Sequence, residues 1–154
     1  MFVDRVKIIV KAGNGGDGAT SFLHFKGVVN GGPDGGDGGK GGDVVFEADP
    51  SKSSLIDFRY SQHFRAENGA RGEGTFKHGK NGKDVVIKVP CGTVVKDAET
   101  GRVIADMFRA GDRATVLTGG RGGKGNARFK SSRRQAPRFS QTGEKTAEHS
   151  VVLE

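Results

Sequence analysis

The chain has 154 residues, of which 33% are hydrophobic and 27 are glycine, with one cysteine, no tryptophan and a formal net charge of +7. That length fits one domain burying roughly two-thirds of its surface, and no apolar run approaches the ~18 residues of a membrane span. Met1-Phe2-Val3-Asp4-Arg5 carries no apolar signal core, and the lone Cys91 excludes an internal disulfide, so a soluble, cytoplasmic protein is expected.

Apolar alternation with a period of two starts at Val6-Lys7-Ile8-Ile9-Val10, the pattern of a half-buried strand. Similar short runs follow at 43–47, 84–89, 93–96, 102–106, 113–118 and 150–154. The stretch 96–101, KDAETG, reads as a hairpin loop, and Asn68-Gly69 and Asn81-Gly82 read as turns. No stretch of ten residues shows a 3.6-residue period. The expected fold is all-β.

Glycine-rich stretches interrupt these strands. Residues 31–43 read GGPDGGDGGKGGD, with glycines at 32, 35, 38 and 41 and again at 36, 39 and 42. The same spacing of three recurs at Gly13/Gly16, Gly15/Gly18, Gly69/Gly72, Gly79/Gly82, Gly119/Gly122/Gly125 and Gly120/Gly123. A flexible Gly/Ser linker has no such period. Collagen demands it over long proline-rich stretches, whereas Pro33 is the only proline of 31–43. Three residues per turn is the polyproline II helix, which makes no internal hydrogen bonds. Glycine at every third position bares one side, so that a neighbouring backbone can approach and satisfy the amides laterally. The glycine-rich stretches are therefore expected to pack together as a bundle of polyproline-II-type helices. These project as loops at about 13–42, 66–83 and 119–145, within a single domain over 1–154.

Several motifs invite a catalytic reading and fail. GNGGDG at 13–18 fits G-x-G-x-x-G, but so do 36–41 and 120–125, and none opens a long helix. The phosphate-binding G-x-x-x-x-G-K-[ST] is absent. His24, His63, His78, His149 and Cys91 lack metal-ligand spacing. The spacing of Asp34, Asp37 and Asp43 suits solvated edges or lateral hydrogen bonding better than acid–base chemistry. No catalytic, cofactor or metal residue is assigned in this chain.

Charge is unevenly placed. Residues 119–145 hold Arg121, Lys124, Arg128, Lys130, Arg133, Arg134, Arg138 and Lys145 against Glu144 alone, which is 8 − 1 = 7 and equals the whole net charge. Phe129 and Phe139 lie among these cations. Phosphates attract the cations and unpaired bases can stack on the aromatics, so nucleic-acid contact is favoured over a merely solvated loop.

The blocks GGPDGGDGGKGGDVVF (31–46), DFRYSQHFRAENG (57–69), GKNGKDVVIKVPCGTVV (79–95) and GGRGGKGNARF (119–129) resemble, in order, the N-terminal domain of the Obg family of GTPases. The resemblance covers essentially the whole chain and implies an all-β fold, a small β-barrel base carrying a bundle of glycine-rich polyproline-II-type helices that project as loops. It implies a ribosome-docking module that binds large-subunit ribosomal RNA through basic glycine-rich loops, and a parent protein acting in large ribosomal subunit assembly and stress-linked growth control. It also implies a G domain after residue 154 that binds GTP or GDP with magnesium and hydrolyses GTP slowly, so that catalysis lies outside this chain. By matching motif, RNA contact is carried over to Lys26, Lys77, Lys80, Arg121, Lys124, Arg128, Lys130, Arg133 and Arg134. The sequence departs from the family at Leu23-His24-Phe25, where a basic-acidic stretch is usual, and at Cys91, where a second proline is common. Implied partners are the large ribosomal subunit, its RNA and the chain's own G domain, with the module a monomer. The alternative is a platform for a regulatory protein that leaves RNA alone.

Overall fold

The computed structural model describes residues 4–23, 31–131 and 136–154. Eight strands build the base: β1 (Val6–Lys11), β2 (Val44–Ala48), β3 (His63–Arg65), β4 (Val85–Val89), β5 (Thr93–Asp97), β6 (Val103–Met107), β7 (Arg113–Leu117) and β8 (Glu148–Leu153). They form a five-stranded sheet in the order β3-β1-β8-β5-β6 and a three-stranded sheet in the order β4-β2-β7. The sheets share one core, and their edge strands touch at both seams, β3 against β4 and β6 against β7. The base is thus a small barrel of two sheets; among the described residues the helical elements are two short 3-10 turns, Ile56–Arg59 against the barrel and Asn126–Phe129 outside it.

Alternation explains which side chains enter the core. Val6, Ile8 and Val10 of β1 point inward with Val44 and Phe46 of β2, Ile87 and Val89 of β4, Val95, Met107, Val151 and Leu153. Leu55 and Phe58 cap the cluster from the Ile56–Arg59 turn. Seven strands follow the expected runs to within two residues at each end. The expected hairpin joins β5 to β6, closed by Asp97 N–H to the Arg102 carbonyl (2.8 Å) with Gly101 at φ +73°. β3 has no counterpart in the sequence reading, because three residues carry too little alternation to register.

The glycine-rich stretches leave the base as six extended segments, 12–23, 31–43, 66–74, 77–83, 119–126 and 139–146, all starting or ending at one end of the barrel. Their backbone hydrogen bonds run laterally. Gly13, Gly16 and Ala19 donate from the first segment to Gly42, Gly39 and Gly36 of the second. Gly36, Gly39 and Gly42 donate onward to Glu73, Ala70 and Glu67 of the third. Gly69 and Gly72 of the third return the bond to Asn14 and Asp17 of the first. Donation therefore runs in a closed ring around three segments, one rung every three residues. Two further rings share an edge with this one, first–second–fifth and second–third–fourth, and a fourth ring, first–sixth–fifth, shares the first–fifth edge of the former.

Four edge-sharing rings define a two-layer raft. The fourth, second and fifth segments lie side by side in one layer, and the third, first and sixth in the other. Glycine is required because the interlocked backbones leave no space for a Cβ. One added at Gly38 would lie 1.8 Å from the Gly16 carbonyl oxygen, and at Gly41 1.9 Å from that of Gly13. The Asn-Gly pairs expected as turns are a correction. Asn68-Gly69 and Asn81-Gly82 sit inside extended segments, where Asn68 Oδ1 accepts the Asn14 N–H (2.9 Å) and Asn81 Oδ1 the Lys40 N–H (3.0 Å).

This packing separates glycines that must be glycine from one that need not be. Gly38→Ala should lower the melting temperature by roughly 10 °C or more, or abolish folding, since the clash is with backbone on a crowded rung. Gly32→Ala should shift it by about 2 °C or less, because nothing lies within 4 Å of a Cβ there and an open site changes stability by only about 0.5 kcal/mol. Thermal melts by circular dichroism make the comparison.

Candidate nucleic-acid interface

The polar residues at every third position of the segments do structural work at the surface of the raft. Asp37 and Lys40 of the second segment donate their N–H groups to His78 Nδ1 (2.9 Å) and Asn81 Oδ1 of the fourth, and Asp43 to Asp84 Oδ1 (2.8 Å). Side-chain oxygens in turn accept N–H groups of the fifth and sixth segments: Asp43 from Gly119 (2.7 Å), Asp37 from Gly125 (2.9 Å) and Asp17 from Gly143 (2.8 Å). The aspartates expected at solvated edges or in lateral hydrogen bonding are thus in lateral hydrogen bonding. Burial acts to raise the carboxyl pKa of Asp43. The Gly119 amide and Lys40 ammonium outweigh it and hold the group below the ordinary aspartate value. At Asp37 burial is likewise outweighed, by the Gly125 amide, Arg128 and His78.

Among the candidate RNA contacts, Lys26, Arg133 and Arg134 lie outside the described residues. The other six are all exposed. Lys77 and Lys80 occupy equivalent positions one turn apart on the fourth segment, their carbonyls accepting N–H groups from Glu73 and Ala70 (both 2.9 Å). Lys83 continues the row, its carbonyl accepting from Glu67 (3.1 Å); it was missing from the sequence-derived set, although its spacing of three from Lys80 marks it. Arg121 and Lys124 form a second row on the fifth segment, where Glu144 and Gln141 of the sixth donate to their carbonyls (2.9 Å each). The raft places these two rows on opposite edges.

The far end of the raft, away from the barrel, brings together Lys77, Arg128, Lys130 and Arg138. Arg128 Nε donates to Asp37 Oδ2, and Asn126 anchors the segment beneath it. Asn126 is fully buried, accepting the Gly35 N–H (2.8 Å) and donating to the carbonyls of Ser21 (2.9 Å) and Pro137 (3.0 Å). Phe129 and Phe139, read from sequence as stacking surfaces, pack on each other with ring centroids 4.8 Å apart. Arg121 and Lys77 meet Glu144 (3.6 Å) and Glu73 (3.2 Å) in exposed pairs, which are worth little to stability and exchange readily for another anion. Lys80, Lys124 and Lys130 have no carboxylate partner among the described residues. Between the fifth and sixth segments a groove of about 430 Å³ is lined by Arg121, Lys124, Gln141 and Thr142. Among the described residues no three His, Cys, Asp or Glu side chains converge as metal ligands. Among the described residues no helix is long and apolar enough to cross a membrane.

The arrangement defines a class: a β-barrel whose glycine raft holds cations on a rigid, narrow projection. The GTP1/OBG family matches residues 3–154, and the chain belongs to that family. It is 59% identical over 154 residues to the GTPase Obg of Caldicellulosiruptor saccharolyticus, covering all of this chain and 36% of that protein. It is 55% identical to the GTPase Obg of Persephonella marina and 54% to that of Aquifex aeolicus, each over 153 residues, 99% of this chain and 45% of the relative. The chain spans less than half the length of these relatives.

Acid should loosen the raft through Asp37 and Asp43. Both carboxyls are depressed in the fold, so their stabilisation is complete above the ordinary value of 3.8 and is lost as pH falls through their lower folded values. The double variant Asp37→Asn, Asp43→Asn should lose about 1–3 kcal/mol at neutral pH and show a shallower fall in melting temperature below pH 4 than the parent chain.

Proposed function

We propose that this chain is the ribosome-docking module of an Obg-type GTPase, binding large-subunit ribosomal RNA through the basic edges and tip of its glycine raft. The observation that carries this reading is the raft itself. It is a projection roughly 28 Å long, at about 3.1 Å per residue over the nine residues 34–42, and it is held stiff by its own backbone. Its cations ride on a body thinner than a helical bundle, so that it fits a narrow phosphate-lined cavity. Lys77, Lys80, Arg121, Lys124, Arg128 and Lys130 supply phosphate contacts, and Lys26, Arg133 and Arg134 complete the set. Such contacts position a protein on RNA without reading sequence.

The family relation supports the remainder of the proposal. In the whole protein a further domain binds GTP or GDP with magnesium and hydrolyses GTP, and the protein acts in the cytoplasm in large-subunit assembly and stress-linked growth control. This module is a non-catalytic monomer. A second reading, a platform for a regulatory protein, draws on the exposed Val103, Ile104 and Phe108 at the outer edge strand β6.

Co-sedimentation with purified ribosomal subunits separates the two. With about six phosphate contacts, binding to the large subunit should fall by roughly two to three orders of magnitude between about 50 and 200 mM salt. Replacing Lys80, Arg121 and Lys124 by Ala, three of the nine proposed contacts, should flatten that slope by about a third to a half. Binding that ignores salt and these substitutions would assign the partner to protein.

A further inference from the structure

At the tip, residues 74–76 join the third segment to the fourth. The Glu73 N–H donates to the Lys77 carbonyl (2.9 Å), closing a turn of Gly74, Thr75 and Phe76. Thr75 (φ +61°) and Phe76 (φ +58°) are both left-handed, the described non-glycine residues with positive φ. A β-branched residue and a bulky aromatic are the wrong occupants of that region, which glycine takes without strain. A chain with 27 glycines places none at either position.

The turn is pinned from below by Asp34, which is only 3% exposed. Its Oδ2 accepts the Thr75 N–H and its carbonyl the Phe76 N–H, both at 2.7 Å, while its own N–H donates to Ser21 (3.0 Å). The second carboxyl oxygen, Oδ1, has no partner. A strained backbone that its surroundings enforce points to a use for the side chain it presents. The Phe76 ring is 53% exposed, lies outside the hydrophobic core and joins no aromatic pair among the described residues. Lys77, also exposed, follows it directly, and Lys80 lies one turn further along. Phe129 and Phe139 are occupied with each other.

We propose that Phe76 is a base-stacking residue: an unpaired nucleotide of the bound RNA lies on its ring, and the Lys77 ammonium exchanges the Glu73 carboxylate for the adjoining phosphate. Asp34 is the positioning residue that aims the ring. The inference rests on the RNA reading above and narrows it to RNA with a splayed-out base at the tip, since an aromatic face and a neighbouring cation are what single-stranded RNA engages. An exposed apolar ring would also suit a protein partner, but the cations around it favour a polyanion.

The chain lacks tryptophan, so Phe76→Trp supplies a single fluorescent reporter at the site. Titration with a mixed-sequence single-stranded decaribonucleotide should quench it, and inorganic polyphosphate, which has no bases, should not. Phe76→Ala should weaken oligoribonucleotide binding by about 5- to 100-fold, the range for one stacked base, and Phe76→Trp should retain it. Asp34→Ala in the Trp background should reduce the quenching. Phe76→Gly should weaken binding while leaving the melting temperature unchanged or raised, because it relieves the left-handed strain. A melting temperature that falls with Phe76→Gly would make the ring structural and overturn the proposal. So would equal quenching by polyphosphate, or unchanged affinity in Phe76→Ala with salt-sensitive binding intact; the RNA reading would survive both. Failure of the parent chain to bind either the oligoribonucleotide or the large subunit at low salt would remove both readings.

Discussion

A hydrogen bond from a backbone amide to a carbonyl on the next segment, repeated every three residues and closed into a ring of three segments, is what the rest of this molecule depends on. Each rung needs two backbones in contact, and contact needs a residue without a Cβ. More than a third of the chain is built this way, with few apolar side chains to bury. Hydrophobic burial supplies the main driving force in ordinary domains, but here it is confined to the barrel. The barrel fixes where all six segments begin or end, so it performs the alignment that makes the rungs possible. Phe46, Ile8 and Leu153 at its centre therefore support the raft at a distance.

Ordering so many glycines is entropically expensive, and no single bond offsets it. Cooperation does: the first–second pair of segments belongs to two rings at once, as does the second–third pair, so losing one rung weakens its neighbours. Asn126 and the aspartates extend the same logic to amides that no backbone carbonyl reaches. The result is a body whose side chains are nearly all free of packing duty, which is why its cations can stand along the edges and at the tip.

Much of this was legible in the sequence. Period-two runs located seven strands, and the three-residue glycine period pointed to laterally bonded segments and to the aspartates as hydrogen-bond partners. Four things were not legible. β3 is too short to show a period and is held by parallel pairing with β1. Asn68-Gly69 and Asn81-Gly82 carry turn chemistry, yet the lateral network overrides it and uses both asparagines as acceptors. The separation of the cations into two edges and a tip depends on which segment lies beside which, and that order is a property of the rings rather than of any local stretch. Phe76 escaped notice for a related reason: a lone aromatic between Thr75 and Lys77 gives no signal until its backbone angle is known.

The closed rings also constrain how this part of the protein can change length. Adding one residue to the second segment would shift every later glycine off its rung against four neighbours at once, whereas adding three would restore the phase but leave the extra rung without partners. Viable length variation must therefore come in triplets and in concert across neighbouring segments, or else be confined to the tips, where 74–76 and 127–131 already break the period. The raft is in this sense a digital structure: its reach above the barrel is set in whole turns, and any fine adjustment to what it meets is left to the loops at its end.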